Sequence, residues 1–161
     1  PDGLKSAAPP KIDGFFDIPW GTKWNGMKSV ERIKRKGYTW CNQSYFRGSF
    51  AGDAQADIAL YFTSDNKFYC GKAHCFWGAA DLKDRYVQIF NGLEKKYGPP
   101  QDDWSLKDFD YQSHGKHWLG TFRGDAVHIT CTLTIEQNNQ PKCIFLQYWD
   151  QSLYDRQPTG L

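Results

Sequence analysis

Histidine and cysteine are the side chains of this 161-residue sequence best able to do chemistry, four of the first and five of the second. His114 and His117 stand three apart, and Cys70, His74 and Cys75 lie close together, a grouping that raises transition-metal binding. On a strand, however, Cys70 and Cys75 are an odd number of residues apart and point to opposite faces. His114 and His117 flank Gly115 at an expected loop edge, with no third ligand nearby. No metal site and no cofactor is therefore assigned. A cysteine nucleophile needs a thiolate, and Cys131 falls on the apolar side of an alternating segment, where a thiol behaves as a small hydrophobe. Gly48, Gly52, Gly120 and Gly124 belong to turns, not to a phosphate-cradling strand-to-helix junction. No Gly-x-Ser-x-Gly elbow occurs. No catalytic residue is assigned, and the chain is read as a non-enzyme.

Bulk properties narrow the partners. The net charge is +2, with 24% charged residues, too little for the concentrated basic face that nucleic-acid binding uses. The one dense basic stretch, Lys28, Arg32, Lys34, Arg35 and Lys36, reads as the wet side of a helix. The longest apolar run, Ile58 to Phe62, is far short of the ~20 residues that span a bilayer. Neither nucleic acid nor a membrane span is expected. Five cysteines in one small domain point to an oxidising compartment, hence to a secreted or periplasmic, cell-envelope location. The start at Pro1 rather than Met fits a processed precursor or a trimmed chain.

The positioning elements follow from periodicity. Residues 1–13 and 152–161 read as flexible tails around one domain. Phe15 to Ile18 reads as a short strand closed by Pro19-Trp20-Gly21. Thr22 stands where an N-cap belongs, and Trp24, Met27, Val30 and Ile33 give an apolar stripe on a helix that Gly37 ends. Alternation then predicts strands near 38–50, 56–63 and 67–77. A second helix is the clearest element. Asp81 is its expected cap, Leu82, Tyr86, Ile89/Phe90, Leu93 and Tyr97 share one face, and Gly98-Pro99-Pro100 stops it. Residues 99–114 read as a polar connection holding Trp104 and Phe109. Val127 to Ile135 alternates strictly between apolar and polar, and Gln137 to Gln140 turns into a last strand at about 142–149.

The sequence also repeats itself. Phe46-Arg47-Gly48-Ser49-Phe50-Ala51-Gly52-Asp53-Ala54 recurs 72 residues later as Trp118-Leu119-Gly120-Thr121-Phe122-Arg123-Gly124-Asp125-Ala126. Trp77 and Trp149 keep the same offset. Ile58, Leu60 and Phe62, however, match Ile129, Cys131 and Leu133 at 71. One copy therefore carries a bulge or a different turn. Asp53 and Asp125 both follow a turn glycine and read as structural. The expected fold is α+β: two pseudo-repeats, about 15–78 and 79–151, each a helix plus three antiparallel strands. Together they form one sheet of about six to seven strands with two helices on one face.

The opening Ile18-Pro19-Trp20-Gly21-Thr22 before a helix, and the later Leu93-x-x-Lys96-Tyr97-Gly98-x-Pro100, resemble small secreted bacterial proteins of unassigned function. The tandem plan resembles the β-lactamase inhibitor protein and the small outer-membrane assembly lipoproteins. That resemblance implies protein binding rather than catalysis.

With two-residue turns at Asp65-Asn66 and Asn138-Asn139, the face away from the core carries Asp57, Tyr61, Lys72, His74 and Phe76, then His128, Thr130, Thr132, Phe145, Gln147 and Trp149. The binding candidates are Tyr61, Lys72, His74, His128, Phe145 and Trp149, since aromatic rings beside short polar groups suit protein recognition. The competing reading folds the 99–114 connection back over some of these rings. Cys41, Cys70, Cys75 and Cys143 can pair in several ways; Cys70 and Cys143, in equivalent places facing outward, are the expected bridge. The function expected is a non-catalytic protein-binding module, inhibitor-like or assembly-factor-like. A small apolar ligand held between sheet and helices is the alternative, with an enzyme of unrecognised type behind it.

Overall fold

The computed structural model describes residues 8–23, 34–37, 42–76, 79–107, 111–136 and 141–156. In chain order the elements are β1 (Gly14–Phe15), β2 (Ile18–Pro19), β3 (Lys34–Gly37), β4 (Asn42–Phe50), β5 (Asp53–Phe62) and β6 (Phe68–Cys75). Then come α1 (Ala79–Tyr97), β7 (Asp102–Lys107), β8 (Tyr111–Phe122), β9 (Asp125–Glu136), β10 (Pro141–Asp150) and α2 (Gln151–Asp155). The fold is α+β around one antiparallel sheet of order β3-β4-β5-β6-β10-β9-β8-β7. The six strands expected of the two units form its middle. Two edge strands, β3 and β7, extend it to eight.

The duplication is visible in the backbone. Ala51 and Gly52 (φ 51° and 87°) turn the first unit's hairpin, and Arg123 and Gly124 (φ 52° and 82°) turn the second in the same left-handed conformation. The second ladder runs unbroken from Phe122 opposite Asp125 to Tyr111 opposite Glu136. The first slips between Gly48 and Phe50. One residue of β4 there faces two of β5, Ala54 and Gln55, which is the extra residue behind the change of offset from 72 to 71. Asp53 secures the slip. Its carboxylate accepts from Gln55 N at 2.9 Å and from Phe76 N at 2.8 Å, and it is buried. Asp53→Ala leaves two backbone donors without that partner and is expected to cost about 1–3 kcal/mol. Asp125 sits in an unbulged turn and is half-buried, so Asp125→Ala should shift the denaturation midpoint less. Equal shifts would remove the bulge-clamping role of Asp53.

One face of the sheet is the core. Ile58, Leu60, Ala73, Cys75, Ile129, Cys131, Leu133, Ile144 and Leu146 are buried there with Leu82, Tyr86 and Leu93 of α1. Asp81 lies in the first turn of α1, where its charge suits the helix dipole, rather than at the cap. Gly98 (φ 86°) ends the helix as expected, its N–H donating to Glu94 O at 2.8 Å.

Several expectations are corrected. The expected strand at Phe15 to Ile18 is instead a hairpin, with Phe16 and Asp17 at φ 55° and 60°. The lead-in is not loose throughout: Ile12 is fully buried, donates its N–H to Thr121 O at 3.0 Å, and accepts the Trp20 indole N–H at 2.9 Å. The Thr22 hydroxyl donates to Pro19 O at 2.7 Å, and the helix expected to follow it lies outside the described residues. The apolar stripe Trp24, Met27, Val30 and Ile33 lies outside the described residues, as do Lys28, Arg32, Cys41, Trp77, Phe109 and the turn 137–140. Lys34 to Gly37, expected as a helix end, pair with β4 as an edge strand. The 99–114 connection contains β7, which adds to β8 rather than crossing the sheet. The tail expected from 152 opens within α2, whose Asp150 cap accepts from Leu153 N at 3.1 Å. That short helix lies beside Tyr69 and Trp149, at the face opposite α1. No described helix is long and apolar enough to cross a membrane.

Candidate functional site

Strand alternation places every second residue of β4–β10 on the face opposite the core. Register then decides which of them meet. His74 faces Asp57 across β5–β6 and Phe145 across β6–β10, and its ring lies 4.5 Å from that of Phe145 and 6.2 Å from Phe76. His128 faces Trp149 and stacks on it at 4.8 Å, 14° from parallel. Lys72 Nζ sits 4.7 Å above the Tyr61 ring, whose hydroxyl accepts from Gln43 Nε2 at 3.2 Å. All six binding candidates, Tyr61, Lys72, His74, His128, Phe145 and Trp149, thus share one face. They are half-buried rather than open, because each is walled by its cross-strand neighbours.

Two groups on this face were not among the candidates. His117 lies on β8, not at a loop edge; its Nε2 is 2.8 Å from His128 Nδ1, and its Nδ1 is 3.4 Å from an Asp102 carboxylate oxygen. The array therefore runs carboxylate, imidazole, imidazole, indole across four strands. Trp104 of β7 covers Gly115, where a Cβ would come within 2.0 Å of the indole. The signal that could have found His117 is its offset from His128. A hairpin turning at Arg123-Gly124 carries both onto one face, on neighbouring strands.

His114, three residues from His117, points to the other face, and its Nδ1 is 3.0 Å from Ser105 Oγ. The two are no ligand pair, and no group of three or more metal-ligating side chains occurs among the described residues.

The expected Cys70–Cys143 bridge is absent: the two cysteines are not joined by a disulfide. The halves meet antiparallel through β6 and β10, so equivalent positions face each other only at the crossing, near Ala73–Leu146 and His74–Phe145. Cys70 faces Trp149, six residues along β10 from Cys143. That is about 20 Å of strand, against Cα separations of about 4–7 Å in disulfides. Burial pushes the Cys70 and Cys75 thiols up to about 12 and raises Cys131 as well. These three are thiols, not thiolates, at neutral pH.

Burial also lowers the pKa of His74, against the pull of Asp57, and of His128, where His117 adds to the effect and Asp155 opposes it. A folded-state pKa below the unfolded one means that the unfolded chain takes up protons first. Stability from these groups is full above the unfolded value near 6.5 and is lost as pH falls through the lower folded values. The melting temperature is expected to fall between about pH 7.5 and 5.5, and His128→Gln should flatten part of that slope. An unchanged slope in the variant would show that His128 does not titrate against folding.

No family profile, curated protein or solved structure matches the chain.

Proposed function

We propose that the ring-bearing face of the sheet is a protein-recognition surface, and that the chain is a non-catalytic, secreted or cell-envelope binding module of inhibitor-like or assembly-factor-like type. The observation that carries this reading is a pair of ring clusters on one face. Phe76, His74 and Phe145 form one, Trp149, His128 and His117 the other, and Gln147 of β10 stands between them on the same face. Rings locked against one another give up little conformational entropy on binding, which favours them as anchors. Lys72, Thr130, Thr132 and Gln147 supply the polar contacts between them. Among the described residues, the polar chain that an enzyme reading would draw on is Asp102–His117–His128. Three of its four imidazole nitrogens are engaged within the chain itself, which suits orientation of the rings better than proton transfer to a substrate.

A photo-crosslinking residue at position 145, in the full chain exposed to the envelope fraction of its native source, tests the reading. A defined adduct is expected from 145 and not from position 87, on the exposed side of α1. It should vanish in His74→Ala/Trp149→Ala. Equal labelling from both positions would end the proposal. Trp149→Ala and Tyr61→Ala, each half-buried, should cost about 1–2 kcal/mol, the range of a lost ring contact with partial burial. A cost of about 4 kcal/mol or more would make them core residues and would remove them from the surface.

A further inference from the structure

The core side of the sheet is not closed everywhere. Between the β1–β2 hairpin and the last turn of α1 lies a cavity of about 500 Å³, lined by Phe15, Phe16, Phe50, Tyr97 and Tyr148 with Lys96. A second, of about 370 Å³, runs beside α1 over Leu93 and Leu146, with Arg85 on its wall. Phe50, Ala51, Lys96 and Tyr148 line both, so the two are compartments of one groove. Each is of the size that small-molecule sites have.

Gly92 of α1 opens onto the groove. It stands inside α1 without a positive φ, and a Cβ there would meet nothing within 4 Å. Packing gives no reason for a glycine, and against alanine it costs the helix about 1 kcal/mol. What it supplies is room: Gly92 lines the second compartment. Charge is sorted as well. Asp13 and Asp17 line only the first compartment, while the second has Arg85 and Lys96 and no carboxylate among its lining residues. Arg85 and Lys96 are three helical turns apart and stand on one side of α1. Phe16, 38% exposed at a left-handed turn, and half-buried Phe50 leave apolar surface in the first compartment.

We propose that this groove binds a long-chain carboxylate, with its head group at Arg85 and its alkyl chain running along α1 over Leu93, Leu146 and Phe50 towards Phe15. An apolar floor with a cationic rim selects for an anionic amphiphile. A neutral alcohol loses the ion pair with Arg85, and a cationic detergent meets repulsion. The site lies on the face opposite the ring array, so its fate and that of the protein-binding reading are separate.

Titration calorimetry of the full chain with dodecanoate, below its micellar concentration, tests the site. Saturable binding is expected, weakening about three- to fourfold for each CH₂ removed from the chain. Arg85→Ala should weaken dodecanoate about three- to fivefold while leaving dodecanol within about twofold. Gly92→Leu fills the groove and improves the helix, so it should abolish binding without lowering the melting temperature. Absence of saturable binding to the unmodified chain would overturn the proposal. So would an undiminished affinity in Gly92→Leu, whose retained melting temperature excludes misfolding as the cause.

Discussion

Trp118→Ala should cost about 3–5 kcal/mol of folding free energy, several times the cost of Phe46→Ala at the equivalent place in the first unit. The two aromatics start the same repeated motif, but the fold uses them differently. Trp118 is 1% exposed on the core face, and its indole N–H donates to Gly98 O at 2.9 Å. It joins the second sheet half to the end of α1, and alanine leaves both a large cavity and a helix-terminal carbonyl without its donor. Phe46 is half-buried and meets the exposed Phe16 edge-on at 5.7 Å. Its removal should cost about 1–2 kcal/mol, because the site opens to water instead of leaving a void. Urea midpoints at unchanged m-value are the measurement. Equal costs would mean that the two units carry equal cores, contrary to the burial of these two side chains.

That inequality marks how far the sequence is legible. The repeat is readable because identical turns need identical residue types: a glycine free at positive φ, an aspartate after it, aromatics before it. Even the bulge is readable, since one extra residue between Asp53 and Ile58 must go somewhere. The ring face follows from alternation alone once the hairpins are placed. What escapes has little or no alternating apolar signal. In β7, Asp102-Asp103-Trp104-Ser105-Leu106-Lys107, no side chain is buried, and β3 reads Lys-Arg-Lys-Gly. Edge strands keep charge on their rims to discourage further pairing, so their sequences resemble connections. Missing β7 put His117 in a loop and hid its stack on His128. The Cys70–Cys143 expectation failed for a reason no single unit contains. Which strands join two copies, and in which direction, is a property of the pair, and antiparallel mating carries equivalent residues apart.

The N-terminal arm, too, is invisible to periodicity, and Gly71→Val should measure its worth. Strand propensity alone says that valine in place of a strand glycine stabilises, by up to about 1 kcal/mol. The packing says the reverse. A Cβ at position 71 would lie 2.0 Å from Phe15 Cδ1 and 2.4 Å from Cγ, atoms at the base of the ring that cannot swing clear. Phe15 is 2% exposed, in contact with Phe50 and Tyr148 at 5.2 and 5.0 Å. Expelling it forfeits about 2–3 kcal/mol of burial, with the strain of the displaced hairpin added. Lost burial outweighs the gain in strand propensity, and a net loss of about 3 kcal/mol is expected. Misfolding for an unrelated reason is separated by a second variant. In Phe15→Ala the clash has no partner, so adding Gly71→Val to it should cost little, leaving a coupling of about 1–3 kcal/mol between the two sites. Additive costs would mean that the arm does not lie on Gly71 in solution. The same double variant lacks the ring that ends the groove, so it should bind dodecanoate weakly while remaining folded, which ties the arm's packing to the site it helps enclose.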